Sequence, residues 1–525
     1  KMGFNWLDYL VLFVYLAGLM LVATKFLHEQ HNSKEFFVAG NSIPWWGAGM
    51  SILATLVSTV SILGGPADFF RYGFEGFGIW YLATFLAAPV IIFVFIRFFL
   101  NLGIVSAYEY LEKRFSLGIR LIGSSFFLLM RALYIGVVIY ASAIALGPFT
   151  GIPVMWLMVI VGVCSALYAV TGGIKAVIWT DVIQLVVVYL GIAYLLAMVF
   201  NRIEGGFPEM WRIATERGHD FSYLKSAENW GLSPFVPNAF FLLLVGMFFN
   251  ALAQKGTDQM TVQRYLSTRN ARESAKALLV DVFGAIPIGF LMMAVGLGLF
   301  AWYHTTGGLE HLAENNYNGL LPEFVAREFP HGFAGLFAAA LMAAVISTVD
   351  SGMNCLATVT MTDFQLRFRK SPLSDAGSIF YARLWTVVWA ALCIGLAFFI
   401  YVSAYDNIAR VSGQVIGLFS GSILGIFLLG MLVPRVNAPG AGIGAVAGGA
   451  VAIWANYFWV RQAPDGNILH VCYMVPITLG VLTTLGVGVL TSFCFAPPRR
   501  EQLRGLNIWH LTERERNLTD RKAEQ

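Results

Sequence analysis

Long runs of apolar residues, each long enough to cross a membrane, follow one another along almost the whole chain. A transmembrane helix needs about 20 such residues, and about thirteen runs reach that length. They lie near 6–28, 43–65, 77–101, 118–147, 152–171, 177–200, 235–254, 277–303, 332–362, 379–404, 411–433, 439–460 and 469–496. The pattern predicts an all-α integral membrane protein with about thirteen transmembrane helices.

Composition supports the membrane assignment. Of 525 residues, 58% are hydrophobic and 12% are charged, against about 25% charged in a typical soluble protein. The mean hydropathy is +0.70. These values exclude a cytosolic enzyme, a disordered chain, a collagen-like fibre and a disulfide scaffold. The first run is too long for a signal peptide and is therefore retained as a transmembrane helix.

The distribution of basic residues predicts the orientation. Cytoplasmic loops carry an excess of Lys and Arg, and the segment after the last run is rich in arginine. We therefore expect one transmembrane domain over 1–496, a basic cytoplasmic tail over 497–525 and, for an odd number of spans, an external N-terminus. This places the basic loop that contains Arg264, Arg269 and Arg272 inside. The polar segments 201–234 and 304–331 become extracellular loops, with room for short helices.

The second apolar run is interrupted by polar and small residues. Hydroxyls occur at Ser51, Thr55, Ser58, Thr59 and Ser61, followed by a Gly-Gly-Pro sequence at 64–66. Broken helices in a bilayer occur where their backbone faces a cavity or an ion. The alternative is that small hydroxyl residues let helices pack closely. The sequence leaves both interpretations open.

Two carboxylates fall inside predicted spans. They are Asp181 in the sixth run and Asp350 in the ninth. On a helix, Ser347, Asp350 and Ser351 share one face with Asn354, which gives an oxygen-rich lining of the kind that hard cations prefer. Intramembrane carboxylates usually serve a function. The alternative is a polar network that holds helices together.

Two basic residues also fall within or at the end of predicted spans. Arg131 lies inside the fourth run, and Lys255 follows the seventh. Either could bind an anionic solute. The alternatives are an ion pair with a buried Asp for Arg131 and extension of Lys255 to the interface.

Other candidate chemistry is weak. The glycines of 440–449 have the small-xxx-small spacing of closely packed helices. The chain has no HExxH, GxSxG or Walker motif, and its basic residues form no face for nucleic acid. The sequence therefore does not predict an enzyme.

Four motifs resemble the sodium/solute symporter family, which includes sodium-coupled sugar, sialic acid and monocarboxylate transporters. The motifs are FFVAGNSIPWWG at 36–47, SAYEYLEKRF at 106–115, GGIKAVIWTDVIQ at 172–184 and TDQMTVQRY at 257–265. The resemblance extends from about residue 6 to about residue 496. It implies a leucine-transporter-like fold with two inverted five-helix repeats, at about 42–200 and 235–460.

The resemblance also implies a sodium site and sodium as the coupling ion. In the family this site combines carbonyls of the first core helix with a carbonyl and hydroxyls of the eighth. The matching residues are Ala54, Val57, Ala344, Ser347 and Thr348.

Some family members have a second sodium site. The positions that match it are Asp181, Ser347, Asp350 and Ser351. Asp350 is a departure, since the comparable members carry Ser, Thr or Ala there. Two close carboxylates repel each other, so we expect a second sodium ion or a proton at this site.

The solute is less well defined by the resemblance. Candidate binding residues are Ser58, Ser61, Arg131, Tyr134, Gln254, Lys255 and Gln414. Tyr134 matches the position of a carboxylate-binding arginine in the sialic acid relatives, and Arg131 lies one helical turn away. The aromatic pair that covers a hexose in the sugar-transporting relatives is absent. These features favour a small organic anion, such as a carboxylate.

The resulting hypothesis is sodium-driven symport of a small polar solute by alternating access in the cell membrane, without an obligate protein partner. The alternatives are a solute sensor with a transporter fold, a symporter of a sugar or another neutral solute, and a channel. A channel needs a continuous polar pore, whereas the polar residues here concentrate in two helices.

Overall fold

The computed structural model describes residues 4–25, 33–74, 78–236, 238–306, 319–403, 408–462 and 468–510. In these ranges the chain is almost entirely helical. Twelve of the helices there are long and apolar enough to cross a membrane, and one bent pair makes a thirteenth candidate span. The prediction of about thirteen transmembrane helices is therefore confirmed.

The helices follow the predicted order with modest shifts of their ends. The first ten are α1 (Trp6–Lys25), α2 (Ser33–Val38), α3 (Trp45–Leu56), α4 (Thr59–Tyr72), α5 (Ile79–Val90), α6 (Arg97–Leu102), α7 (Glu109–Arg114), α8 (Leu117–Thr150), α9 (Val154–Asn201) and α10 (Gly206–Glu216). The others are α11 (Phe240–Leu252), α12 (Gln259–Leu266), α13 (Ala271–Thr306), α14 (Leu320–Glu328), α15 (Phe333–Val359), α16 (Leu366–Phe368), α17 (Asp375–Val402), α18 (Ile408–Leu432), α19 (Ala438–Tyr457) and α20 (Val475–Ser492). π-helical turns at Ile91–Ile96, Ala253–Thr257 and Thr360–Gln365 connect neighbouring segments.

The second predicted span is broken, as its polar residues indicate. Helices α3 and α4 meet at an angle of 63°. Between them Val57 has φ −87° and ψ 86°, and Ser58 is extended. The intrahelical hydrogen bonds therefore stop at this point, and carbonyl groups of the last turn of α3 are released for other partners.

Helix α9 contains a kink between two of the predicted spans. Gly173 has φ 55° and ψ −172°, a left-handed backbone that glycine adopts without steric cost. A Cβ built there would lie 3.1 Å from the carbonyl oxygen of Phe36. The glycine thus lets α2 approach α9 closely.

The boundary between the last two spans was predicted incorrectly. Helix α19 ends at Tyr457 and α20 begins at Val475, and the intervening segment contains an antiparallel hairpin of β1 (Val460–Gln462) and β2 (Ile468–His470). Val460 pairs with His470. Apolar composition near both ends extended the predicted spans into this hairpin.

Helix α15 forms the centre of the bundle. In the apolar 18-residue stretch of this span, 89% of the residues are buried. The helix packs against α1, α3, α8 and α9. At the periphery Phe13, Phe93 and Leu490 are 68%, 69% and 70% exposed. Such large exposed apolar side chains suit contact with lipid. Polar residues on α15 are thus enclosed by protein.

The glycine-rich span packs closely against its neighbour, as its spacing predicts. A Cβ built at Gly444 would lie 2.6 Å from the carbonyl oxygen of Thr484, and one at Gly448 would lie 2.6 Å from that of Gly480. Helices α19 and α20 approach each other through these small residues.

The start of the predicted tail packs against the helices. Tyr110 Oη donates to the Leu506 carbonyl over 2.9 Å, and Asn507 Nδ2 donates to the Gly430 carbonyl over 3.2 Å. Trp509 Nε1 donates to the Leu432 carbonyl over 2.6 Å. The donors of Asn507 and Trp509 satisfy carbonyls at the end of α18, which lack intrahelical partners. The predicted tail residues 511–525 lie outside the described residues.

Candidate ion and solute site

The break between α3 and α4 contacts two hydroxyls of α15. Ser347 Oγ donates to the Ala54 carbonyl and Thr348 Oγ1 donates to the Thr55 carbonyl, each over 3.1 Å. Both hydroxyls also lie 3.1 Å from the Ala344 carbonyl. Hydroxyl and carbonyl groups thereby join the broken helix directly to the central helix.

Four of the five residues predicted to bind sodium are therefore linked by these contacts. Val57, the fifth, lies at the break itself and lines the adjoining cavity. The carbonyl and hydroxyl oxygens form the type of donor set that suits a hard monovalent cation. Thr55, which was not among the residues predicted to bind sodium, contributes its carbonyl to the same cluster.

Two of the four residues predicted for a second cation site, Asp181 and Ser351, bind an arginine. Arg264 of α12 is fully buried, and its Nη2 lies 2.9 Å from Asp181 Oδ2. The same nitrogen donates to Ser351 Oγ over 2.6 Å and to Thr55 Oγ1 over 2.7 Å. The guanidinium group is thus the cation that Asp181 and Ser351 bind in this structure.

Arg264, which the sequence analysis placed in a basic cytoplasmic loop, lies on α12 with its side chain buried. Arg264 Nε donates to Ser51 Oγ over 2.6 Å, and its Nη1 donates to the Met260 carbonyl over 2.7 Å. Every nitrogen of the guanidinium is therefore hydrogen-bonded. The presence of Arg264 in the TDQMTVQRY motif was the available signal, but its position in a short polar segment suggested a loop.

Asp350 lies beside this cluster and does not contact Arg264. Its Oδ1 accepts a hydrogen bond from the Ser351 backbone amide over 2.5 Å. Its Oδ2 is buried and has no hydrogen-bond partner among the described residues, and the same holds for Asp181 Oδ1. With both carboxylates ionised, this cluster of two carboxylates and one guanidinium would have one unbalanced negative charge in a buried environment.

A cavity of about 880 Å³ opens next to the break. Of the predicted solute-binding residues, those that line it are Ser58, Ser61, Arg131, Tyr134 and Gln254. Tyr134 Oη donates to Ser58 Oγ over 3.3 Å, and Gln254 Nε2 donates to Asn250 Oδ1 over 3.0 Å. Residues 468–473, from β2 and the segment that follows it, also line the cavity.

Both predicted basic residues form ion pairs. Arg131 pairs with Asp258, and Lys255 pairs with Asp281. The first pair confirms the alternative of a buried aspartate partner. Lys255 is 2% exposed, so the interpretation that it extends to the interface is wrong. Lys255 lies behind Asp281 and does not line the cavity.

Gln414 is not brought into this cavity. It lies on α18, where its backbone carbonyl accepts a hydrogen bond from Asn456 Nδ2 over 3.2 Å. The residues of α18 that do line the cavity include Ser412, Ile416 and Ser420.

The charged residues of the cavity wall balance one another. Arg71 and Arg131 line the wall together with Asp68, Asp258 and Asp281, and Lys255 supplies the third positive charge. None of these three aspartates was predicted from the sequence to line the cavity. Asp258 and Asp281 lie within a turn or two of the ends of the predicted spans 235–254 and 277–303, where a carboxylate is usually hydrated.

The sequence profile of the Sodium:solute symporter family matches residues 36–448. The chain belongs to this family. It is therefore a sodium-coupled symporter, a multi-pass membrane protein and not an enzyme, as the sequence analysis predicted. Sodium is the coupling ion.

Individual relatives extend the match over the whole chain. The sodium/sialic acid symporter of Aliivibrio fischeri is 34% identical, with 99% of each chain covered. The human sodium-coupled monocarboxylate transporter 1 is 32% identical over 81% of this chain and 69% of its own length. A solved structure of a Na⁺-coupled sialic acid symporter, substrate-bound and outward-open, has a TM-score of 0.85 at 29% identity and covers 95% of this chain and 100% of its own. These likenesses confirm the leucine-transporter-like fold.

Proposed function

We propose that this symporter moves a small organic anion, most simply a carboxylate, together with sodium by alternating access across the cell membrane. The observation that carries the proposal is the position of Arg131, a buried arginine on the cavity wall beside Tyr134 and Ser58. A guanidinium binds carboxylates through paired hydrogen bonds. The relatives named above are described as sialic acid and monocarboxylate transporters.

The coupling ion supports the same solute class. Sodium bound at Ala54, Val57, Ala344, Ser347 and Thr348 would add one positive charge beside a cavity whose wall is otherwise balanced. An anion entering with sodium keeps the site neutral. In this proposal sodium holds α15 against the break in the outward-open state, and loss of sodium to the cytoplasm lets the two helices separate.

The second cation site remains a proposal in altered form. Arg264 engages Asp181 Oδ2 and Ser351, so the oxygens left for another cation are Asp181 Oδ1 and Asp350 Oδ2. The unbalanced negative charge in this buried place favours one additional positive charge. A second sodium ion and a proton are the two candidates.

The topology and domain limits belong to the same proposal. We assign one transporter domain to 1–496, with core repeats at about 42–200 and 235–460, and a cytoplasmic tail to 497–525. The basic loops then face the cytoplasm and the N-terminus lies outside. Reporter fusions at the two ends test the orientation.

Uptake by the purified protein in liposomes tests the function. Labelled N-acetylneuraminate, lactate and glucose are offered with an inward sodium gradient and with choline in place of sodium. We expect accumulation of a carboxylate above its external concentration only with sodium. Ser347→Ala combined with Thr348→Ala abolishes it, because two sodium ligands are lost.

The control variant is Thr386→Ala. Thr386 is also a buried hydroxyl, but it bonds to the Ala382 carbonyl of its own helix, so sodium-driven uptake is expected to persist. Equal uptake in choline contradicts the proposal. Equilibration without accumulation indicates a channel, and sodium-dependent binding without uptake indicates a sensor. Accumulation of glucose alone favours a neutral solute.

A further inference from the structure

Helix α12 has one end in the solute cavity and the other end beside the sodium-site residues. Asp258, at its N-terminus, lines the cavity and pairs with Arg131. Arg264, two residues before its C-terminus, binds residues of α3, α9 and α15. The helix has eight residues and is about 12 Å long at the usual rise per residue. It is therefore short enough to act as one rigid element.

A continuous set of hydrogen bonds connects the two ends. Asp258 Oδ1 accepts from the Met260 backbone amide over 2.9 Å. The carbonyl of the same Met260 accepts from Arg264 Nη1 over 2.7 Å. The carboxylate in the cavity and the guanidinium in the core are thus joined through a single residue.

The connection continues to the sodium-site residues through Thr55. Its hydroxyl accepts from Arg264 Nη2 over 2.7 Å, and its carbonyl accepts from Thr348 Oγ1 over 3.1 Å. Thr348 is one of the two hydroxyls predicted to bind sodium. An ion coordinated by Thr348 Oγ1 would therefore change the hydrogen bonding of Thr55, the residue that binds Arg264.

Asp258 is suited to release Arg131. Its Oδ1 caps the first turn of α12, and the positive end of a helix stabilises a carboxylate there. The charge of Asp258 therefore keeps a partner when the carboxylate of a solute takes over Arg131.

We infer that α12 couples the two sites. When a solute replaces Asp258 as the partner of Arg131, Asp258 and Arg264 act as positioning residues that transmit this change to the sodium ligands around Thr55. The inference rests on the proposed function, because it requires a carboxylate at Arg131. Coupling between two ligands is reciprocal, so sodium should in turn loosen the Arg131–Asp258 pair and admit the solute.

The first test measures the coupling factor, the ratio of solute dissociation constants without and with sodium, by calorimetry with N-acetylneuraminate. Asp258→Asn retains the cap, because Asn also caps helices well, but removes the competing charge. We expect sodium-free binding to tighten and the coupling factor to fall towards about one. Sodium affinity without solute should rise towards that of the solute-bound wild type, because sodium no longer has to loosen the Arg131–Asp258 pair.

Asp68→Asn is the matched control. It removes another carboxylate of the cavity wall, on α4, that does not belong to α12. We expect this variant to change solute affinity with and without sodium by the same factor. A coupling factor in Asp258→Asn equal to that of the wild type overturns the inference and leaves sodium symport intact. A wild-type factor of one contradicts the proposed function instead.

The second test needs sodium alone and no solute. Hydrogen exchange of the backbone amides in α12 is compared with and without sodium in the wild type and in Arg264→Lys, which retains the charge beside Asp181 but lacks the planar fork. In the wild type we expect sodium to protect both the α3–α4 break and α12. In Arg264→Lys, protection of the break persists and that of α12 is lost. Equal protection of α12 in both proteins overturns the inference.

Discussion

Arg264 and Asp181 form a salt bridge over 2.9 Å in which neither side chain is exposed to solvent. The pair joins α12 to α9 at the point where α3 and α15 also meet. Removal of one partner from a buried pair leaves an uncompensated charge, which costs about 3–5 kcal/mol. Arg264 therefore has a structural role as well as the coupling role inferred above.

Arg264→Met is expected to lower the free energy of unfolding by this amount, measured by thermal unfolding in detergent. Addition of Asp181→Asn to the same protein restores part of the loss, because residue 181 then no longer carries a buried charge that has lost its partner. Arg212→Met provides the control: Arg212 pairs with Glu209 and Glu216 on an exposed surface, where a pair contributes about 0–1 kcal/mol. Equal losses for the buried and the exposed pair would contradict this account.

Arg131→Gln should raise the KM for a carboxylate by at least about tenfold, because hydrogen bonds to charged groups contribute about 1.5–3 kcal/mol. Glucose, which has no carboxylate, serves as the comparison solute for binding. Tyr134→Phe removes only a neutral hydroxyl that bonds to Ser58 and should have a smaller effect. Unchanged KM for every transported carboxylate would exclude Arg131 as the anion ligand.

Asp350→Ser tests the additional cation. The variant removes the buried carboxylate oxygen that has no partner among the described residues. We expect the number of sodium ions per solute to fall by one if the site binds sodium, and the pH dependence of uptake to flatten if it binds a proton. Solute-to-sodium flux ratios and uptake across pH distinguish the two. A variant identical to the wild type in both measurements would remove Asp350 from the cycle.

Gly444→Leu should destabilise the protein by about 1–3 kcal/mol, because the new side chain meets backbone in a closely packed interface. A Cβ there already lies 2.6 Å from the Thr484 carbonyl oxygen and 2.8 Å from Gly488 Cα. Gly486→Leu on α20 is the matched control, since nothing lies within 4 Å of its built Cβ. Thermal unfolding of both variants measures the difference. Similar melting temperatures for the two would mean that α19 and α20 separate at little cost.

Acid pH should loosen the region around α7. Burial alone would raise the pKa of Glu112, but the hydrogen bonds and charges of Arg367 and Arg120 lower it below its ordinary value of 4.5. A lowered folded-state pKa contributes stability above the ordinary value, and this stability is lost as pH falls through the folded value. We therefore expect Glu112→Gln to reduce the melting temperature near neutral pH and to converge with the wild type in acid. Parallel curves for the two proteins at every pH would refute this.

The broken second span and the glycine stripe of α19 could be predicted because their signals are local. Hydroxyls and a Gly-Gly-Pro sequence mark the span that bends at Val57 and Ser58. Small residues at every fourth position mark the helix face that packs against α20. In both cases a short stretch of chain contains the physical cause.

The partners of the charged residues were harder to predict from the sequence. Asp181 and Arg131 stand out as charges in apolar runs, but Arg264 and Asp258 lie in a polar segment that suggests hydration. The hairpin at β1 and β2 was missed for the opposite reason, because its flanks are apolar enough to extend the neighbouring spans.

The sequence by itself determined that the chain is a helical membrane protein of about thirteen spans and, through its motifs, that it belongs to the sodium/solute symporters. Hydropathy over about 20 contiguous residues is sufficient for the first conclusion. The tertiary structure decided that Arg264 neutralises Asp181, 83 residues away, and that Asp258 neutralises Arg131, 127 residues away. Such pairs form only when helices distant in the chain pack together, because a buried charge requires a partner and the fold determines which one is within reach.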